Sequence, residues 1–178
     1  MERMFAAVND APDASTRPSR IFDFSMPLAD AEAAWDVIVS QARRWRIDPT
    51  RIGMIGFSAG AGLTMQCALH SKKMRLAFIA PIYGAMDPVA VPPNAPPMFV
   101  AIAADDFLFR GRFGLIESWY RAGRPVEFHL YQDGGHGFGR GYPGHTTYWW
   151  FEAFSHWLEV NGFLSPSPNP AGATASPR

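Results

Sequence analysis

The chain carries one cysteine, Cys67, in 178 residues. That excludes an internal disulfide and any cysteine-rich metal site, and Cys67 itself reads as a small buried hydrophobe. Neither sign of charge is in excess, with 16 Lys and Arg against 16 Asp and Glu. There is accordingly no electrostatic reason to expect nucleic acid or an anionic membrane as partner. No apolar run approaches the roughly 20 residues of a membrane span. Met1 to Asp10 contain Arg3 but no long apolar stretch, so they do not read as a secretory signal, and a cytoplasmic location is expected. No internal repeat is found. What the chain does have is hydrophobic content, 48% of residues, with aromatics at 14%. This is the composition of a single globular domain with a substantial core.

Three regions follow from the pattern: an arm over 1–27, a core over 28–163, and a tail over 164–178. Asn9 to Ser19 read as a loose Pro/Asp/Ser/Ala segment, with Ile21–Phe24 as a short edge strand. From Leu28 the spacing is helical, with Ala31, Trp35, Ile38, Ala42 and Trp45 on one face, until Asp48-Pro49 turns the chain. Both Trp35 and Trp45 read as core packing. Arg51–Ile55 is expected as a buried parallel strand, followed by a helix over Ala61–Leu69. Leu76–Tyr83 reads as a strand buried on both faces, with Pro81 near its end. Asp87 to Pro97 hold five prolines and read as a stiff connector. Met98–Ala103 and Pro125–Tyr131 are the remaining strands. Gly114–Arg121 is a helix stopped by Ala122-Gly123, and a last helix runs from Thr146 to Val160. The Pro/Ser/Ala segment from Ser165 to Arg178 is expected to be disordered. Strand and helix alternate, which predicts an α/β fold: a mostly parallel sheet of about four core strands with helices on both faces.

Between the first strand and its helix lies Gly56-Phe57-Ser58-Ala59-Gly60. In a strand–turn–helix setting, Gly-x-Ser-x-Gly describes a sharp, strained turn that presents a serine, with small residues where other chain approaches. Gly56 and Gly60 supply that room. The other reactive groups stand after later strands: Asp105 and Asp106 after the third, and His136 in the glycine-rich Asp133–Phe138 after the fourth. Parallel sheets collect their chemistry at the carboxyl ends of strands. A serine hydroxyl needs a histidine to take its proton, and the histidine needs a carboxylate to hold its tautomer. All three are present, in the order Ser, Asp, His. Among the other histidines, His145 reads as a cap or decoy, His129 as a strand packing residue, and His70 and His156 as surface positions. No spacing typical of zinc ligands occurs, so neither a metal nor a cofactor is expected.

Ile-Asp-Pro-Thr-Arg-Ile-Gly-Met-Ile-Gly-Phe-Ser-Ala-Gly (47–60), Ala-Ala-Asp-Asp-Phe-Leu-Phe (103–109), Ala-Gly-Arg-Pro-Val-Glu-Phe-His-Leu-Tyr (122–131) and Gly-Gly-His-Gly-Phe-Gly (134–139) resemble the α/β-hydrolase esterases. The nearest group is the acetyl-xylan-esterase-like and dienelactone-hydrolase-like proteins, and the likeness runs from Leu28 to Phe163. It implies Ser58 as nucleophile, His136 as general base and Ala59 N–H as an oxyanion donor. Its acid pattern, small-x-x-Asp-x-x-apolar, fits Ala103, Asp106 and Phe109, which implies Asp106 as the acid and leaves Asp105 as a turn partner. Small acyl esters, such as acetyl groups on sugars, are the implied substrates, with Tyr83, Met86 and Phe138 as wall residues.

The chain also departs from that family. Only about fifty residues precede Ser58, too few for the strands that usually come before the elbow, and no His-Gly-Gly-like segment is there to give the second oxyanion donor. A shortened α/β-hydrolase fold is therefore expected, with the elbow strand left as an apolar sheet edge. The arm around Ile21–Phe24 or a second copy would cover that edge, and a homodimer is the favoured expectation. Two functional readings follow. One is a serine hydrolase of small carboxylic esters working through an acyl-enzyme. The other is a weak or inactive relic that serves as a binding or assembly module.

Overall fold

The computed structural model describes residues 23–164. Helix α1 (Ser25–Trp45) leads through a 3-10 turn (Pro49–Arg51) into β1 (Met54–Phe57) and α2 (Ala59–His70). There follow β2 (Ile79–Ile82), β3 (Met98–Ala103), α3 (Gly114–Arg121) and β4 (Val126–Tyr131). A second 3-10 turn (Thr146–Trp149) opens α4 (Trp150–Val160). Among the described residues the strands form one parallel sheet in the order β1-β2-β3-β4.

Side chains alternate across a strand, so the register decides which helix covers which face. Gly56 in β1 faces Gly60 and Thr64 of α2. Phe128 in β4, paired with Val100 on that same face, meets the ring of Phe113 at the start of α3. Phe99, one residue away from Val100, points the other way, toward Phe154 and Trp157 of α4 at 5.2 and 5.7 Å between ring centres. Thus α2 and α3 lie on one face and α4 on the other. Both β2 and β3 are buried at every residue, as strands covered on two faces should be. The proline-rich connector is tied to α3. Trp119 donates its indole N–H to the Pro96 carbonyl at 3.0 Å, and the Ser118 hydroxyl accepts from the Val89 amide at 3.1 Å.

Several expectations need correction. The first strand is not buried on both faces, and among the described residues it is an edge strand. Ile55 and Phe57 are 38% and 41% exposed, and the strand begins at Met54 because Asp48 caps a 3-10 turn that takes up Pro49–Arg51. The second strand is shorter than its apolar run, Ile79–Ile82 rather than Leu76–Tyr83, and Pro81 sits one residue from its end, as expected. The β2–β3 ladder is made by the Ile79 and Tyr83 amides on either side of it. Trp45 is 48% exposed. Helix α1 lies on α2 rather than on the sheet and buries a narrower stripe, Trp35 and Ala42. Asp23 and Phe24 are not strand. Phe24 is the N-cap residue of α1, its ring lies against Gly62, and Asp23 accepts the Ser25 amide at 2.9 Å. Ile21 and Phe22, the rest of the arm and the segment from Ser165 lie outside the described residues.

The two glycines of the elbow motif are not equivalent. A Cβ on Gly56 would overlap the Gly60 carbonyl and the Thr64 hydroxyl, whereas one on Gly60 would meet open space. Gly56→Ala is expected to destabilise the chain by about 3 kcal/mol. Gly60→Ala, at a helical position, should be neutral or stabilising by up to about 1 kcal/mol. Urea denaturation of the two variants checks this contrast.

Candidate functional site

Ser58 stands between β1 and α2 with φ 54° and ψ −116°. This is left-handed backbone that a side chain makes costly, of order 1–3 kcal/mol. Both its peptide groups are held in place. Its amide donates to the Ile82 carbonyl at 3.1 Å, and its carbonyl accepts from the Ala61 and Gly62 amides at 3.0 and 3.2 Å. The side chain is thereby turned away from strand and helix alike, toward the loop that follows β4.

His136 lies on that loop. Its Nε2 is 2.8 Å from Ser58 Oγ, and its Nδ1 is 2.9 Å from Asp106 Oδ2. A carboxylate can only accept, so Nδ1 carries the proton and Nε2 is left to accept from the serine hydroxyl. The Asp106 side chain has no exposed area, and that of His136 is 22% exposed. A buried carboxylate needs partners for both oxygens. Here Oδ1 takes the Leu108 amide at 2.8 Å while Oδ2 takes the imidazole. Asp105 points elsewhere: it accepts the Gly135 amide at 2.8 Å and, more weakly, the Gly134 amide at 3.4 Å. It partners the histidine loop rather than its own turn.

Aromatic rings surround the imidazole. Tyr83, at φ 40°, presents an edge at 5.3 Å, and Phe107 lies against it at 4.6 Å while 59% exposed. The Tyr83 phenol is held above its ordinary value by burial, partly offset by a hydrogen bond from the Gly139 backbone. Met86 and Phe138 are fully buried; Phe138 is packed on Tyr83 at 4.6 Å, while the Met86 carbonyl accepts the Leu115 amide at the start of α3. Ala59 is the first residue of α2, where backbone amides have no intrahelical acceptor. The residue that sequence reasoning passed over is Phe107; its one signal was its place beside Asp106.

The other histidines stand apart from this relay. His129 pairs with Glu127 at 2.8 Å, and His145 with Asp133 at 3.2 Å. Asp133 also takes the Thr146 amide at 2.7 Å, which with the Thr146 hydroxyl holds its carboxyl below the usual value. The stability this adds is present above the ordinary carboxylate pKa and is lost only as pH falls through the lowered one. The Cys67 thiol is pushed up to about 11 by burial, which keeps it an unreactive thiol at neutral pH. Among the described residues no group of three His, Cys, Asp or Glu is arranged to hold a metal ion, and no helix is long and apolar enough to cross a membrane.

A parallel sheet whose strand ends bring Ser, Asp and His together in that chain order is the arrangement used by the α/β-hydrolase fold, and the comparisons with known proteins show the same fold. A family model described as alpha/beta hydrolase fold matches residues 22–94. Among solved structures, an α/β hydrolase enzyme from a Medee basin deep-sea metagenome library is 29% identical with a TM-score of 0.68, the match covering 77% of this chain and 65% of that one. An acetyl ester-xyloside bifunctional hydrolase from Caldicellulosiruptor lactoaceticus is 24% identical with a TM-score of 0.68, covering 77% and 66%. A carboxylesterase from Lactobacillus plantarum is 22% identical with a TM-score of 0.61, covering 78% and 69%. The chain thus spans just under two thirds of the first two structures. No curated protein matches it. The chain has the α/β-hydrolase fold and resembles the esterases that share it.

The strain at Ser58 can be read by substitution. Ser58→Gly and Ser58→Ala both remove the contact with His136, but only glycine relaxes at φ 54°. Ser58→Gly should therefore be the more stable of the two by about 1 kcal/mol in urea denaturation.

Proposed function

We propose that this chain is a serine hydrolase of small carboxylic esters. The observation that carries the reading is the unbroken relay from Ser58 Oγ to His136 Nε2 at 2.8 Å and from His136 Nδ1 to Asp106 Oδ2 at 2.9 Å, mounted on a strained turn. In this reading His136 takes the hydroxyl proton as Ser58 attacks the ester carbonyl. Asp106 steadies the imidazolium that forms, and the Ala59 amide donates to the developing oxyanion. His136 then protonates the leaving alcohol. It next activates the water that releases the acid from the acyl-serine. Neither step calls on a metal or a cofactor. Acetyl esters, including those of sugars, are the proposed substrates; an acetyl ester-xyloside hydrolase is among the structures of the same fold. Tyr83 and Phe107, flanking the imidazole, would border the bound ester, with Phe138 supporting Tyr83 and Met86 buried in the same core cluster.

One observation favours a second reading, a weakly active assembly module. The flank of the elbow beside Gly60 is open among the described residues, and β1 there is an apolar edge. For this edge we propose pairing with a second copy of the chain, as a homodimer. A monodisperse monomer at high concentration in sedimentation velocity would overturn that assembly.

Hydrolysis of p-nitrophenyl acetate separates the two functional readings. The esterase reading expects turnover that falls by at least about a thousandfold in Ser58→Ala and His136→Ala, and by a comparable factor in Asp106→Asn. A serine-directed organophosphate should label Ser58 alone, and labelling that persists at full extent in Ser58→Ala would sink the assignment. Absence of turnover in the unaltered chain would favour the assembly module.

A further inference from the structure

We propose that Asp105 is a positioning residue for His136: its carboxylate holds the loop that carries the imidazole, while Asp106 holds the imidazole itself. The inference rests on the esterase reading for its kinetic consequence, but its geometry stands alone. His136 is preceded by two glycines, Gly134 at φ 143° and Gly135 at φ 63°, and followed by Gly137 at φ 79°. Consecutive glycines leave the backbone broadly free, so the ring they carry has no intrinsic position. Gly134 admits no side chain, because a Cβ there would overlap Thr147. The stiffness of a Cβ is therefore unavailable at that point, and restraint has to come from outside the loop.

Two carboxylates supply it. At the loop's base, Asp133 accepts the Thr146 amide and lies 2.7 Å from the Thr146 hydroxyl, while its own amide donates to that hydroxyl at 3.0 Å. This closes the segment from 133 to 146 but leaves Gly134 and Gly135 unanchored. Asp105 reaches across from the end of β3 and accepts the Gly135 amide at 2.8 Å and the Gly134 amide at 3.4 Å. Its own position is fixed, since the Ala104 amide donates to the Tyr131 carbonyl at 2.7 Å and the Asp106 amide to the Ala103 carbonyl at 3.1 Å. The adjacent residues 105 and 106 thus leave one short turn in two directions. One grips the backbone just before His136 and the other its ring nitrogen. Asp105 is solvent-exposed, so these bonds add little to global stability. Their effect is on where the imidazole sits, and a displacement of about 1 Å is enough to slow a reaction on the order of a hundredfold.

The test uses Asp105→Ala and Asp105→Asn in the full chain, with two readouts. The first is amide hydrogen exchange at Gly134 and Gly135, followed by NMR. Exchange should rise about tenfold or more in Asp105→Ala while the amides of β2 and β3 are unchanged. Asp105→Asn keeps one oxygen that can accept from Gly135 and should fall between the two. The second is p-nitrophenyl acetate kinetics. In Asp105→Ala, kcat should drop by about ten- to a hundredfold with KM within about twofold, and Asp105→Asn should recover part of the loss. A residue of merely structural importance would lower the melting temperature without this split. If Asp105→Ala does not fold, Asp105→Asn carries both measurements. Unchanged exchange at the two glycines overturns the proposal, as does a kcat within about twofold of the unaltered chain. If the unaltered chain shows no hydrolysis, the esterase reading fails and the exchange rates alone decide the role of Asp105.

Discussion

The arrangement of the site depends on one constraint, the backbone of Ser58 held where a side chain does not belong. Its amide is pinned to β2 and its carbonyl to the first turn of α2. A residue gripped at both peptide groups cannot relax without breaking the junction of strand and helix. The strain of order 1–3 kcal/mol is therefore borne by elements that are stable for other reasons. Burial of β2 on both faces is one of them. The close approach of Gly56 to Gly60 and Thr64 is another, since it lets α2 leave β1 at the required angle. The backbone conformation at Ser58 is thus a consequence of core packing one strand away.

Asp106 and His136 converge on that serine through the same sheet. They follow β3 and β4, which are neighbours, and the Ala104 amide ties the two strand ends together at the Tyr131 carbonyl. The two side chains therefore need only short loops to meet. The Asp106 carboxylate can be fully buried because each oxygen has a partner, and one of those partners is the imidazole. Burial in turn makes that hydrogen bond stronger than it would be in water, which fixes the tautomer more firmly. Phe107 and Tyr83 lie against the imidazole and exclude water from part of it, and the His136 side chain keeps 22% exposure.

How much of this was legible in the sequence depends on what each residue answers to. Met98–Ala103 and Gly114–Arg121 stand where their patterns put them, because an unbroken apolar run and a helical face were bounded by Pro96-Pro97 and Gly123. Ser58 and His136 were visible because strained turns and glycine-rich loops leave local marks. The Asp105–Asp106 choice was not decidable from local chemistry, since two adjacent carboxylates look alike. Only a family pattern pointed to Asp106, and the work of Asp105 appears only when the loop of another strand is seen beside it. Trp45 and β1 were misread for a shared reason. Periodicity shows that a face is apolar but not whether a partner is present, and beside these residues the described chain offers little. The start of β2 was drawn too early because apolar strand ends carry no mark of their own, so Leu76–Phe78 looked as strand-like as Ile79–Ile82.

The two edges of the sheet are built differently, and the difference bears on the site. Along β4, Glu127 and His129 are hydrogen-bonded to each other at 2.8 Å, and a carboxylate there is the kind of polar decoration that keeps an edge from pairing with other chains. Along β1 there is no such group; the residues are Met54, Ile55, Gly56 and Phe57. The amides of Met54 and Ser58 turn inward to β2, so by the alternation of a strand those of Ile55 and Phe57 turn outward. A strand added there would satisfy those groups and cover the exposed parts of both side chains. Running along β1, it would also reach the open flank at Gly60, next to Ser58 and the Ala59 amide. Covering the edge and enclosing the serine are therefore not separate tasks in this fold. The same added backbone would do both, because the turn that carries Ser58 begins where β1, an edge among the described residues, ends.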